Sequence, residues 1–333
     1  MADPNRVFLT GGSGLLGSHI AQGLRDRGTD VVALQRPGSD AAFLRELGCR
    51  ILVGDVTDPV ESLESAAAGC DAVVHAAAQV YGGGAWTSVH GVNVLGTRSV
   101  ITGAGRAGAG RAVHVSSVAV YGNQPGLLAE DAPLDFPLGE RDTYARSKRE
   151  AEEEARAAAS ESGVRLSVVR PSVIYGERDR LFTSKLERLA TMPVIPLLGR
   201  GDAYLPAVYA GNVASAVVLA LEAPIAGTFN LAEDHPVSQA ALVLGLARAM
   251  GRRPRAVPIP AALIRAGAAI ADGLGLRVPG ASDLSLVRVA RLWTGGNPYA
   301  SHRIREALGW TPPFALQEAL TRTAAWLHTG QTR

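Results

Sequence analysis

Along the first 170 positions, apolar residues fall into short runs separated by longer stretches with helical patterning. Val7–Thr10, Asp30–Leu34, Arg50–Val53, Ala72–Ala76, Ala112–Ser116 and Leu166–Arg170 carry β-branched residues, and each ends near Gly, Asp or Ser. This pattern predicts six strands. The intervals hold helices, among them His19–Arg27 and a segment from Tyr144 to about Ser160. Repeated strand–helix–strand spacing predicts an α/β chain with a parallel sheet, right-handed crossovers and helices on both faces. A ligand on such a sheet sits beyond the carboxyl ends of the strands. After Arg170 the rhythm changes. Pro171–Leu205 is rich in Pro, Gly and Arg and shows no strand pattern. Asn212–Glu222 then predicts a helix and Gly227–Leu231 a further strand. Ser238–Met250, Ala261–Leu274, Leu284–Leu292, Ser301–Leu308 and Leu316–Leu327 predict helices. The expected division is one unit of residues 1–172, with 207–232 returning to it, and a smaller, mostly helical unit of 173–206 and 233–333. No internal repeat interrupts this order.

Composition narrows the classes. Of 333 residues, 47% are hydrophobic and 19% charged, enough for a sizeable core and unlike a disordered chain. Thirty-three basic and 31 acidic side chains leave +2, with no overall footprint for nucleic acid or an anionic membrane. Two cysteines, Cys49 and Cys70, exclude a disulfide scaffold and a thiolate zinc site. Seven scattered histidines show no metal-binding spacing, so no metal is expected. The first strand starts by Arg6, leaving no room before it for a signal peptide. The longest apolar stretch, Ala256–Leu276, contains Arg265, Asp272, Pro258 and Pro260, which makes it a poor membrane span and a better buried or lid helix. A soluble, cytoplasmic protein without nucleic-acid or membrane partners is expected.

Three motifs carry chemistry. Thr10-Gly11-Gly12-Ser13-Gly14-Leu15-Leu16-Gly17 follows the first strand and opens a helix. In that place Gly11 permits a tight turn, Gly14 a close backbone approach to a diphosphate, and Gly17 close helix packing, while the helix N-terminus favours anionic charge. A glycine-rich turn without a ligand is the competing reading; the placement in the first strand–helix turn weighs against it. At the end of the second strand, where a carboxylate would bind the ribose 2′-hydroxyl of NAD, the chain has Gln35-Arg36. A carboxylate would repel a 2′-phosphate, whereas an arginine binds one, so NADP is favoured over NAD unless Arg36 is merely solvated. Third, Ser116-Ser117 ends the fifth strand, and Tyr144 and Lys148 lie four apart on one helix face. An ammonium and an oxidised nicotinamide beside a tyrosine would lower its pKa from near 10 towards a working range for proton transfer. A serine at the strand end would hold the substrate oxygen.

Taken together these residues resemble the extended short-chain dehydrogenase/reductase superfamily, the group related to nucleotide-sugar epimerases, over nearly the whole chain. The resemblance rests on Thr10–Gly17, Asp55-Val56, His75-Ala76-Ala77-Ala78, Asn93–Thr97, Ser116-Ser117 with Val120-Tyr121-Gly122, Tyr144–Lys148 and Arg170–Gly176. It implies a Rossmann doubly wound sheet with a helical C-terminal substrate domain, and an NAD(P)-dependent enzyme. By resemblance, Gly11, Gly14, Leu15, Leu16, Gly17 and Arg36 would hold the cofactor. Asp55 and Val56 would flank its adenine, Ala76, Ala77 and Ala78 would line the path to the nicotinamide ribose, and Pro171 and Val173 would contact the nicotinamide end. Tyr144 would be the acid/base, Lys148 would grip the nicotinamide ribose and Ser117 would polarise the carbonyl. The resemblance also implies a homodimer through helices around Asn93–Gly105 and Tyr144–Ser160.

Val208–Ala214 is similar to a stretch of the 3β-hydroxysteroid dehydrogenase-like branch, although Asn212 reads equally as a helix N-cap. Gln35 departs from the acid usual in that branch and leans towards a reductase. Val118-Ala119 after Ser117 departs from the acidic pair of sugar dehydratases and disfavours dehydration. His90, near Trp86, reads as a packed residue or a second acid/base, and His75 as structural. Glu152-Glu153-Glu154 reads as a solvated helix face, and Arg178, Arg180 and Arg200 as solvated or phosphate-binding. The expected activity is reduction of a ketone, or oxidation of the alcohol, on a bulky, mostly apolar molecule, with a nucleotide-sugar epimerase using bound NAD as the alternative. A cofactor-sensing protein without catalysis is a third reading, which the Tyr144/Lys148 pair opposes. The apolar face along Ala261, Leu263, Ile264, Ala268 and Ile270 would either pack on the sheet or line the substrate pocket.

Overall fold

The computed structural model describes residues 3–80, 85–140, 142–179, 181–276 and 286–329. Six of the seven central strands are those predicted from the first part of the chain: β1 (Arg6–Thr10), β2 (Asp30–Gln35), β3 (Arg50–Val53), β4 (Ala72–His75), β5 (Arg111–Val115) and β6 (Arg165–Pro171). Four more follow: β7 (Val173–Tyr175), β8 (Val194–Leu198), β9 (Ala207–Tyr209) and β10 (Thr228–Leu231). The last is β11 (Arg255–Ile259). The central sheet runs β3–β2–β1–β4–β5–β6–β10, with all neighbours parallel. The chain winds outward from β1 to β3, then returns to β4 and winds the other way. The crevice between β1 and β4 is therefore the switch point where such sheets bind ligands.

Both faces of the sheet are covered, which explains why the strands read as unbroken apolar runs. On one face Val7, Leu9, Val31, Val74, Val113 and Val169 pack with Ile20 and Leu24 of the helix Leu15–Asp26 and with Val213, Val217 and Leu221 of the helix Ala210–Glu222. On the other, Phe8, Val32, Val73 and Ala112 pack with Val100, Ile101 and Ala104 of the helix Gly96–Arg106 and with Ala158 and Ala159 of the helix Thr143–Ser162. A separate core gathers Tyr175, Leu186, Ile195, Leu205, Leu242, Leu246, Leu320 and Trp326.

Pro171–Leu205 holds more order than its sequence suggests. β7 pairs with β9 and β8 with β11, both parallel, around the helix Phe182–Ala190. Pro193, Pro196 and Pro258 sit in or beside the β8/β11 ribbon and mask its strand pattern. In a two-stranded ribbon half the amides face no partner, so proline costs little there. The predicted Leu284–Leu292 helix is seen as Leu286–Gly295, its first two residues lying outside the described residues. Asn212 is not an N-cap. The helix begins at Ala210, and the buried Asn212 side chain donates to Asp234 Oδ2 (2.6 Å) and the Phe314 carbonyl (2.9 Å). The Ala261–Gly273 helix does not pack on the sheet and has no buried residue.

Candidate active site

The glycine turn leaves β1 at the switch point. Gly11 has φ +75°, and a Cβ there would lie 2.6 Å from the Ala76 carbonyl carbon and the Ala77 nitrogen, the backbone leaving β4. A Cβ on Gly17 would lie 2.0 Å from the Gly11 carbonyl oxygen, so glycine lets the first helix close directly on the turn. Gly14 is the N-cap and has no side chain to satisfy the first-turn N–H groups, and the first turn carries no acid. A Cβ on Gly14 would meet a single neighbour within 4 Å, the Gly11 oxygen. This open, uncapped helix N-terminus suits a diphosphate. Leu16 packs into the sheet core, and Leu15 is half-buried.

At the end of β2, Gln35 is buried, and its Nε2 has no hydrogen-bond partner among the described residues. Arg36 is exposed, and its guanidinium makes no hydrogen bond or ion pair to the described residues. Asp55 follows β3 and accepts from the Thr57 amide (2.9 Å) and hydroxyl (2.8 Å). Val56 is buried close against Gly96. Ala76, Ala77 and Ala78 are half-buried where the chain leaves β4. The Ala76 amide donates to the Thr10 carbonyl, which ties this segment to the glycine turn. Uncapped helix, unpaired Gln35 amide and unpaired Arg36 fit the diphosphate and adenosine ends of a dinucleotide.

Beyond β5, Ser117 caps a short 3₁₀ turn, Val118–Tyr121, by accepting from the Ala119 amide at 3.1 Å. Tyr144 lies in the first turn of the Thr143–Ser162 helix. Burial pushes its phenol up to about 12, and the Ser117 side chain pulls the other way. One turn on, Lys148 is buried and donates from Nζ to the Val115 carbonyl at 2.8 Å. Burial lowers its pKa to about 8 against the opposing pull of Glu152. Within the protein alone desolvation dominates the tyrosine, and the lysine engages a backbone carbonyl. Tyr144 rests as a neutral phenol, a proton donor.

Sequence reasoning missed the groups that hold this pair. Asn93 is buried in a π-helical turn, Gly91–Leu95, of a kind often found at functional sites. Its Nδ2 donates to Ser147 Oγ (2.9 Å) and the Gln79 carbonyl (2.9 Å), and its Oδ1 accepts from the Gln79 amide (2.7 Å). Asn93 thereby clamps the segment after β4 to the Tyr144 helix. Glu152 is not a solvated residue. It is fully buried and takes a two-pronged bond from Arg170 of β6, Nε to Oε1 and Nη2 to Oε2, both 2.7 Å. Arg156 adds a third bond at 3.0 Å. Burial would raise the Glu152 carboxyl, but Arg170 holds it below the usual range. The spacing Tyr144, Lys148, Glu152, Arg156 is one unbroken i,i+4 row, a signal present in the sequence.

His75 lies between the Thr10 hydroxyl (2.7 Å at Nδ1) and Thr97 (2.9 Å at Nε2). The Thr97 hydroxyl donates to the Asn93 carbonyl at 2.6 Å, so it accepts from Nε2–H, and Nδ1 accepts from Thr10. Burial and the Lys148 charge push this imidazole down to about 3, so it is a neutral tether. His90 packs against Trp86, 3.7 Å from Glu150, and reads as a packed residue. Pro171 ends β6 and Val173 opens β7, both beside the carboxyl edge of the sheet. Arg178 stacks over Phe43 and donates to Ser18 Oγ at 2.7 Å, Arg200 is exposed, and Arg180 lies outside the described residues. Arg178 is thus engaged within the protein.

The model of the NAD dependent epimerase/dehydratase family matches residues 7–232, spanning the sheet and the whole Ser117–Tyr144–Lys148 group. The chain belongs to this family. It is an NAD(P)-dependent enzyme of the extended short-chain dehydrogenase/reductase superfamily, an oxidoreductase or epimerase. It is similar to a 2-alkyl-3-oxoalkanoate reductase of Stenotrophomonas maltophilia K279a, 31% identical over 96% of this chain and 98% of that one. It is also similar to a 4-hydroxy-2-methyl-3-oxo-4-farnesyl-3,4-dihydroquinoline-1-oxide ketoreductase of Stigmatella aurantiaca, 31% identical over 81% of this chain and 80% of that one. Among solved structures, gox2253 aligns with a TM-score of 0.75 at 26% identity, over 98% of this chain and 99% of that one.

Proposed function

We propose that the protein is an NADPH-dependent reductase of a ketone on a bulky, mostly apolar small molecule. The observation that carries this reading is the grouping of Ser117 and Tyr144 with Lys148, one turn on from Tyr144 and bonded to Val115 at the carboxyl end of β5. The names of the two relatives at 31% identity, both reductases of oxo compounds with hydrocarbon chains, support the substrate class. When bound, the nicotinamide would supply the hydride.

The chain's own residues then have distinct tasks. Ser117 and Tyr144 present two hydroxyls to one substrate oxygen. Tyr144, held neutral by burial, gives its proton to that oxygen as negative charge develops there. Lys148, fixed by Val115 and charged below about pH 8, holds the nicotinamide ribose and favours proton return to the tyrosine. Gly11, Gly14, Leu15, Leu16 and Gly17 hold the diphosphate, and Arg36 takes the 2′-phosphate. Asp55 and Val56 flank the adenine, Ala76–Ala78 lie along the cofactor path, and Pro171 and Val173 face its nicotinamide end.

On this reading residues 1–172 with 207–232 bind the cofactor, and 173–206 with 233–333 bind the substrate. The enzyme works as a cytoplasmic homodimer through the Gly96–Arg106 and Thr143–Ser162 helices, which light scattering would test. The two buried, unpaired cysteines suit a reducing compartment. Calorimetry with UDP and UDP-glucose, beside a screen of cyclic and long-chain ketones with NADPH, tests the activity. Ketone turnover with poor UDP binding is expected; micromolar UDP binding without ketone turnover would favour an epimerase.

A further inference from the structure

A helix on a protein surface normally turns its apolar side inward and its charges out. The Ala261–Gly273 helix half-buries Ala261, Ile264, Ala268, Ala271 and Asp272 but also leaves large apolar residues exposed. Its two charged residues, Arg265 and Asp272, are seven apart and share one side. That side meets the helix Leu286–Gly295: Arg265 Nε donates to Thr294 Oγ1 at 3.1 Å, and Asp272 Oδ1 accepts from the Leu286 amide at 3.3 Å. Leu263 and Ile270 are also seven apart, each two residues before a charge, which places them on the opposite side. Both are 66% exposed, and Leu274 and Leu276 just beyond are 74% and 56% exposed. The helix has no buried residue, and its remaining positions are Ala, Ile and Gly. β11 leads directly into it, and Val257 on β11 and Val194 on β8 are exposed apolar residues of the adjoining ribbon.

The segment that leads into this helix carries charge of one sign. From His235 to Pro260 the chain carries four arginines, Arg248, Arg252, Arg253 and Arg255, and no carboxylate. Arg248, Arg252 and Arg253 line one surface groove, and Arg255 stands at the start of β11. The overall charge of +2 conceals this local excess.

We propose that the Ala261–Gly273 helix and the adjoining β8/β11 ribbon form a docking surface for an anionic lipid bilayer. Leu263, Ile270, Leu274 and Leu276 enter the headgroup–acyl boundary, and the arginines pair with lipid phosphates. The protein lies on the membrane and does not span it: among the described residues no helix is long and apolar enough to cross one. Apolar outward residues alone would equally suit a second copy; the four arginines of residues 248–255, with no carboxylate among them, favour an anionic partner, since two copies would set like charges together. The purpose, access to a membrane-dissolved substrate, rests on the proposed apolar substrate, but the surface does not.

The test is flotation of the full-length protein with vesicles of phosphatidylcholine alone or with one-third phosphatidylglycerol. Binding to the anionic vesicles, weakened by salt, is expected. Leu263→Glu with Ile270→Glu should cut binding at least tenfold, and Arg252→Gln with Arg253→Gln by about fivefold per arginine. Both variants should keep the wild-type melting temperature and NADPH affinity. Wild-type protein left in the aqueous fractions at low salt overturns the proposal. So does a drop in oligomer mass for Leu263→Glu without lipid, which would show that a second copy covers the helix. Vesicle binding without turnover of any ketone would keep the surface and refute the substrate reading instead.

Discussion

Glu152→Gln strikes the point where the sheet holds the catalytic helix. In the wild type Arg170 makes two bonds of 2.7 Å to a fully buried carboxylate, and Arg156 a third of 3.0 Å. Glutamine keeps one acceptor and sets an NH₂ group against the guanidinium donors. The Arg170 charge, 3% exposed, is left without its counter-charge. Removing one partner of a buried ion pair costs about 3–5 kcal/mol. With an m value of about 3 kcal/mol per M, the urea midpoint should fall by roughly 1–1.7 M. Glu152→Leu combined with Arg170→Met should cost clearly less than the two single changes added, because the paired apolar replacement strands no charge. There is a second readout. The Glu152 charge opposes the burial that lowers the Lys148 pKa to about 8, so its loss should move the alkaline limb of cofactor binding to lower pH. Destabilisation below about 1 kcal/mol, or strict additivity in the cycle, would refute the claim that this pair anchors the helix.

Other outcomes are equally concrete. Arg36→Ala should weaken NADPH by about 1.5–3 kcal/mol in a fluorescence titration and leave NADH nearly unchanged, as for a charge-assisted bond; equal losses would remove its 2′-phosphate role. Gly17→Ala places a Cβ 2.0 Å from the Gly11 oxygen and should abolish binding of both dinucleotides by calorimetry. Lys148 is protonated below about pH 8 and neutral above it, so the dissociation constant for NADPH should rise with pH above 8, by up to tenfold per unit. Lys148→Arg, always charged, should remove that rise.

The sheet was legible because both its faces are covered, which turns each strand into a short apolar run closed by a turn residue. The glycine turn and the Tyr144/Lys148 pair were legible because their spacing is local. What depends on distant partners was not. Glu152 sits in a run of three glutamates and looks solvated until Arg170 arrives from another strand. Asn212 has the composition of a cap, yet its partners are Asp234 and Phe314, far along the chain. The β8 and β11 strands hide behind proline in a ribbon that spares unpaired amides. The Ala261–Gly273 helix shows an apolar face, but periodicity cannot tell which way that face points.

The most direct test is NADPH consumption with a long-chain 3-oxo compound by wild-type protein and by Tyr144→Phe. Phenylalanine keeps the helix and the cofactor site and removes the proton donor. Wild-type protein should oxidise NADPH in step with alcohol formation, and Tyr144→Phe should lose about a hundredfold or more in turnover with NADPH affinity unchanged. Near wild-type turnover in Tyr144→Phe, or no NADPH consumption by the wild type across apolar ketones, would contradict the account.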